Sequence, residues 1–132
     1  MTVFIDASAF VALLDGVDPH HKRAAETWSR LIASEAVLFT TNYVVLETCV
    51  VLQRRLGREV VRGFHEDIVP LLTIVWIGEE IHHASASAMF LAVSEKLSLV
   101  DCVSFHVMRQ YGITAAFAFD KHFEDQGFNC NP

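Results

Sequence analysis

Two aspartates stand directly after apolar runs, Asp6 after Val3-Phe4-Ile5 and Asp120 after Ala115-Ala116-Phe117-Ala118-Phe119. In a parallel sheet, ligands bind beyond the carboxyl ends of the strands, so a carboxylate there is placed to meet one. The structural alternative is an N-cap, in which the same side chain accepts a backbone N–H of the next helix. Glu47 is the only charged residue between Tyr43 and Leu52, on a segment that also supplies Val44, Val50 and Val51. An ionised carboxylate does not sit on an apolar face unpartnered, so Glu47 either points outward, pairs with Arg54 or another base, or serves a site. Asp101 closes Ser98-Leu99-Val100-Asp101, the Ser-x-x-acid form of a capping box. A first-turn residue also projects near a helix N-terminus, where anions are stabilised, so capping and a site role are compatible.

Other chemistries lack their signatures. His20-His21 and His82-His83 are adjacent pairs without the i, i+4 spacing of a helical zinc site, and they read as surface histidines near helix starts. Cys49, Cys102 and Cys130 make an odd set with no Cys-x-x-Cys, which excludes a disulfide framework and a zinc knuckle and fits a reduced, cytoplasmic setting. Ala7-Ser8-Ala9 offers no glycines for a dinucleotide pyrophosphate. A phosphatase of the haloacid-dehalogenase type would carry a second aspartate where Ser8 stands.

Elements that must position these acids are legible as alternating patterns. Val3 to Ile5, Ala36 to Phe39, Leu71 to Ile77 and Ala115 to Phe119 are apolar runs of the kind buried on both faces of a sheet. Between them, His20 to Ser34, Tyr43 to Leu56 ending at Gly57, Glu79 to Glu95, and Leu99 to Tyr111 closed by Gly112 read as helices. Strand and helix in alternation imply parallel pairing through right-handed crossovers, hence an α/β layered fold. Gly16-Val17-Asp18-Pro19 is a turn between helical stretches, not a domain boundary.

With 132 residues, 52% of them hydrophobic, the chain is expected to form one domain with a sizeable core. No apolar run approaches the ~20 residues of a membrane span, and the N-terminus lacks the charged start of a signal peptide. Sixteen acids against ten bases argue against broad electrostatic adhesion to nucleic acid or anionic membrane. An acidic polymer could be handled only through a local basic patch and a means of neutralising the carboxylates.

The strings Val3-Phe4-Ile5-Asp6-Ala7-Ser8, Thr40-Thr41-Asn42-Tyr43-Val44-Val45-Leu46-Glu47, Leu97-Ser98-Leu99-Val100-Asp101-Cys102-Val103-Ser104-Phe105 and Phe119-Asp120-Lys121-His122-Phe123, closed by Gly127-Phe128, resemble PIN-domain ribonucleases of the VapC toxin type. Order and spacing match over essentially the whole chain. The resemblance implies a three-layer α/β/α sandwich with a central, mostly parallel sheet, formed as a single nuclease domain over residues 1–132. It implies a divalent-metal site and catalytic centre built from Asp6, Glu47, Asp101 and Asp120. Ser8 falls where the family often places a small polar residue beside the first aspartate, and Ser104 is a candidate helper behind the ligands. The implied activity is metal-dependent endoribonucleolytic hydrolysis by the toxin of a type II toxin–antitoxin pair. The implied partners are RNA, a cognate antitoxin that blocks the acidic pocket, and a second copy in a homodimer. The alternative is a PIN-like module that binds RNA or protein without cutting, against which the four intact acids speak.

Physical chemistry explains why such a cluster needs an ion. Four converging carboxylates repel one another unless they bind protons or a cation, and all-oxygen ligands favour Mg²⁺ or Mn²⁺. Counting the four as ligands leaves twelve acids against ten bases, a nearly balanced surface. Basic help for a phosphate is expected from Lys121 and His122, and from Arg54, Arg58 and Arg62, which recur every four residues with Arg55 beside them if the helix restarts past Gly57. The competing role for the arginines is a solvated face paired with Glu59 and Glu66.

Overall fold

The computed structural model describes residues 1–132. Its five strands are β1 (Thr2–Ile5), β2 (Val37–Thr41), β3 (Thr73–Val75), β4 (Ala115–Phe117) and β5 (Asn129–Cys130). They lie in the order β3-β2-β1-β4-β5, and every pairing is parallel. The helices are α1 (Ala7–Leu14), α2 (His21–Ala33), α3 (Asn42–Leu56), α4 (Arg58–Gly63), α5 (Glu79–Leu91), α6 (Leu99–Gln110) and α7 (His122–Asp125). They complete a three-layer α/β/α sandwich of the expected class. Central β1 is apolar on both faces because both are covered, and Val3, Phe4 and Ile5 are fully buried. Phe10, Phe64, Phe117 and Phe123 complete the centre of the core.

Strand order fixes where a site can form. The chain builds β1, β2 and β3 toward one edge and then returns to place β4 on the other side of β1. The crossovers leaving β1 and β4 therefore diverge, which opens a crevice at the carboxyl ends of these two neighbours. Asp6 and Asp120 both follow those ends.

Several boundaries differ from the sequence expectation. β2 runs on through Thr40 and Thr41, which are buried because their hydroxyls are satisfied. Thr40 Oγ1 donates to the Ile5 carbonyl at 2.9 Å, and Thr41 Oγ1 accepts the Val44 N–H at 3.2 Å as the N-cap of α3. The Leu71–Ile77 run is only partly strand: residues 64–71 carry α4 on through a π-helical turn and a 3₁₀ turn, and β3 is a short edge strand followed by an exposed Trp76. α5 stops at Leu91 rather than Glu95, since Phe90, Leu91 and Val93 face solvent and no packing rewards further turns. Gly57 and Gly112 do end their helices, with φ of +95° and +66°, the left-handed region that glycine enters without a Cβ clash. No helix is long and apolar enough to cross a membrane.

Candidate active site

Each acid reaches the crevice from a different element. Asp6 closes β1: its N–H donates to the Phe117 carbonyl at 3.0 Å, which ties it to the end of β4. As N-cap of α1, its Oδ2 accepts the Ser8 N–H at 3.2 Å and the Ser8 hydroxyl at 2.7 Å. Ser8 Oγ in turn accepts the Phe119 N–H at 3.0 Å. One hydroxyl thus clamps the first aspartate to the segment that carries Asp120. Asp101 forms the capping box of α6, with its N–H on Ser98 Oγ at 3.0 Å and its Oδ2 accepting the Ser98 N–H at 3.1 Å. Asp120 accepts the His122 N–H at 3.0 Å. These bonds use one oxygen of each aspartate and leave the other open.

All four carboxylates line one cavity of about 340 Å³. Glu47 enters it from α3 with no donor on its carboxylate. Ligand atoms of Asp101, Asp120 and His122 lie within 4.8 Å of one another, and His122 Nε2 is 3.7 Å from Asp120 Oδ1. Burial, reinforced by the neighbouring carboxylates, raises Glu47 to about 7. Burial also raises Asp6 to about 6, against the pull of its two Ser8 hydrogen bonds and with the charges of Asp101 and Asp120 adding to it. Asp101 is raised by burial as well, opposed by the Ser98 N–H. A pocket that raises three of its carboxyls in this way stores electrostatic repulsion that a cation would relieve. The donor set is hard oxygen with one imidazole at its edge. Cys102 lines a different cavity, behind α6. The residues present fit a divalent ion that prefers oxygen.

The basic residues are arranged differently from the sequence expectation. None of Arg54, Arg58 and Arg62 lines the carboxylate cavity. Gly57 breaks the helix between Arg54 and Arg58, so the spacing of four residues does not make one continuous stripe. Arg62 pairs with Glu59 at 3.2 Å, and Arg54 lines an apolar neighbouring cavity beside Leu46 and Val50. The arginine that does reach the carboxylates is Arg55, held by Asp15 and Asp18 at 3.5 and 3.6 Å. His20 reaches the rim stacked on Phe119, with ring centroids 4.6 Å apart. In the sequence Arg55 stood only as a companion to the Arg54 series and His20 only as a surface histidine; the Gly16–Pro19 turn carries Asp18, one of the two acids that grip Arg55. Lys121 and His122 line a groove next to the cavity. Ser104 is buried one turn after Asp101, and its hydroxyl has no hydrogen-bond partner, so it orients none of the four acids.

The chain matches known proteins along nearly its whole length. The PIN domain profile matches residues 3–129. The 23S rRNA-specific endonuclease VapC20 of Mycobacterium tuberculosis is 30% identical over 127 residues, covering 96% of this chain and 95% of that protein. The crystal structure of that protein, described as a sarcin-ricin loop cleaving toxin, superposes with a TM-score of 0.83 over 96% of this chain and 95% of its own. FitAcB from Neisseria gonorrhoeae shares the fold at a TM-score of 0.69 and 15% identity, covering 98% of this chain and 96% of its own.

Proposed function

The chain belongs to the PIN-domain family of VapC-type ribonuclease toxins, and on that premise we propose that it hydrolyses RNA phosphodiester bonds at the cavity formed by Asp6, Glu47, Asp101 and Asp120. The observation that carries this reading is the convergence of four acids from four separate elements on one crevice, at the switch point of the sheet. A divalent ion, Mg²⁺ or Mn²⁺, would be held by these carboxylates and would supply Lewis acidity toward water and the phosphoryl oxygen. The protein's own contribution is position. Ser8 and Ser98 fix Asp6 and Asp101 through hydrogen bonds that exist before substrate arrives, so little reorganisation remains for the reaction. Lys121, with His122 beside it beyond Asp120, supplies positive charge for the phosphates that flank the scissile bond, while Arg55 at the wall is neutralised by Asp15 and Asp18.

The substrate class supported by the VapC20 likeness is a structured ribosomal RNA, with a 23S rRNA stem-loop as the first to try. A cognate antitoxin that presents an arginine to the carboxylates fits the acidic cavity. A homodimer fits the outward face of α3, where Leu46 and Val50 are more than half exposed one turn apart. A silent binding module is disfavoured, because the four acids and the caps that orient two of them are all in place.

The test compares wild type with Asp6→Asn on structured RNAs, in Mg²⁺, in Mn²⁺ and in chelator. Asn caps a helix as well as Asp, so the substitution removes charge while keeping the fold. Cutting that needs the ion and falls at least ~100-fold in Asp6→Asn, about 2.7 kcal/mol of barrier, is expected. Cutting that survives both chelation and the substitution overturns the reading.

A further inference from the structure

Beyond Asp120 the surface continues as a groove of about 290 Å³ between residues 94–97 and α7. Lys96, Lys121 and His122 line it, with Asp125 its one carboxylate. Neither lysine is held in an ion pair. The groove shares Leu97 and Gln126 with a larger cavity of about 520 Å³ between α5 and α6. No carboxylate lines this second cavity, although the chain carries an excess of acids. Its cation is Arg109, which sits over the Phe105 and Phe128 rings at 5.9 and 5.4 Å and bonds Gln126 at 2.7 Å. The guanidinium is therefore fixed without being neutralised, with donors to spare. Around it lie the amide of Gln110, the imidazole of His106 and apolar wall from Ala88 and Phe105. Ser85, also in the wall, is buried with its hydroxyl unpartnered, a group that gains from any ligand that moves close enough to bond it.

Apolar wall, amides for a base edge and one fixed cation for a phosphate are the components of a nucleotide subsite, and the volume is in the range of small-molecule pockets, ~300–1,000 Å³. We propose that groove and cavity form one accessory RNA track, in which Lys96 and Lys121 hold phosphates of the strand leaving the carboxylates and the cavity between α5 and α6 receives a nucleotide of that strand. The proposal rests on the nuclease reading for the identity of the polymer. It moves substrate selection away from the arginines of α3 and α4 to a face that the four acids do not occupy.

Binding and cutting are measured separately to test it. In chelator, where no cutting occurs, anisotropy of an end-labelled single-stranded RNA gives Kd against salt for wild type, for Lys96→Ala with Lys121→Ala, and for Ala88→Phe. Both lysines are exposed, so the double variant should fold. It should lower the slope of log Kd against log salt by about 1.4, at ~0.7 per lost phosphate contact on a single strand. Ala88→Phe fills the cavity from an exposed position on α5. It should weaken a strand of about 12 nucleotides by about fivefold or more, and leave a tetranucleotide unaffected. An unchanged slope, together with unchanged affinity in an Ala88→Phe protein that melts like wild type, overturns the track and assigns the cavity to a protein partner. If Ala88→Phe does not fold, the salt slope alone decides. Loss of Mg²⁺-dependent cutting with the binding differences intact would count against the nuclease reading only. Normal cutting without binding differences would count against the track only.

Discussion

At the scale of single residues, the cavity acids carry opposing duties. Asp6 and Asp101 stabilise the fold as caps, yet their proximity to Glu47 and Asp120 costs stability whenever all are ionised. The sign follows from the raised values. Asp6 at about 6 and Glu47 at about 7 lie above the ordinary 3.8 and 4.5, so the folded state holds more protons than the unfolded one between those limits. Their stabilising contribution is complete below about pH 4 and is lost as pH rises through about 6 and then 7. In chelator, the difference in Tm between Asp6→Asn and wild type should therefore widen in favour of the variant from pH 5 to 7.5, by a few degrees. A divalent ion binds the deprotonated form, so the Mg²⁺-induced rise in wild-type Tm should grow over the same interval. Thermal scans across that range check both statements. Parallel Tm profiles for the two proteins would mean that Asp6 is not strained by its neighbours.

At the scale of elements, the caps convert sequence into geometry, and this is where the sequence was most legible. Ser98-x-x-Asp101 is readable as a capping box, and the structure contains it in full. Asp6 and Asp120 were legible as residues following buried strands because an apolar run ends where its strand leaves the core. Thr40 and Thr41 were not legible as strand, because their burial depends on hydroxyl partners in Ile5 and Val44 that no local pattern reveals. β5 escaped for a related reason: two residues, one of them asparagine, have no periodicity, and they pair only because α7 returns the chain beside β4. Arg55 was read only as a companion to its neighbour Arg54, where the regular spacing begins. On a helix the two project about 100° apart, and only tertiary packing decides which faces the acids. Ser98→Ala should cost about 1 kcal/mol, the usual value of an N-cap, or a few degrees in Tm. It should also lower Mg²⁺ affinity, because the carboxylate of Asp101 loses the turn geometry that Ser98 Oγ fixes. Ser98→Thr should recover both, and calorimetric Mg²⁺ titration distinguishes this from a purely structural loss, in which affinity would not change once the variant is folded.

At the scale of the whole molecule, an acidic protein that acts on RNA must keep its charges local. Four acids are concentrated in one cavity, Asp15 and Asp18 are spent on Arg55, and Lys96, Lys121 and Arg109 are left without acidic partners on the adjoining face. Apolar side chains are exposed after β3 at Trp76, at the end of α5 and on α3. Leu46 and Val50 are 65% and 51% exposed on α3, beside a cavity of about 550 Å³ that also reaches Tyr43, His82, Val100 and Glu47. A second copy seated there would border the carboxylate site, because Glu47 lines both cavities. Exposed branched side chains at i and i+4 have the spacing of a helix-packing seam, and burying them would remove apolar area from water. Light scattering should accordingly return twice the 14.8 kDa chain mass for wild type, and the chain mass for Leu46→Glu with Val50→Glu. Both positions face solvent in the single chain, so the double variant should keep its secondary structure by circular dichroism. A wild type that runs at the chain mass at micromolar concentration, or a double variant that still dimerises, would place the contact elsewhere. Cleavage by the monomeric variant then decides whether the second copy does more than cover apolar surface: equal rates per chain mean that each cavity is complete in one copy.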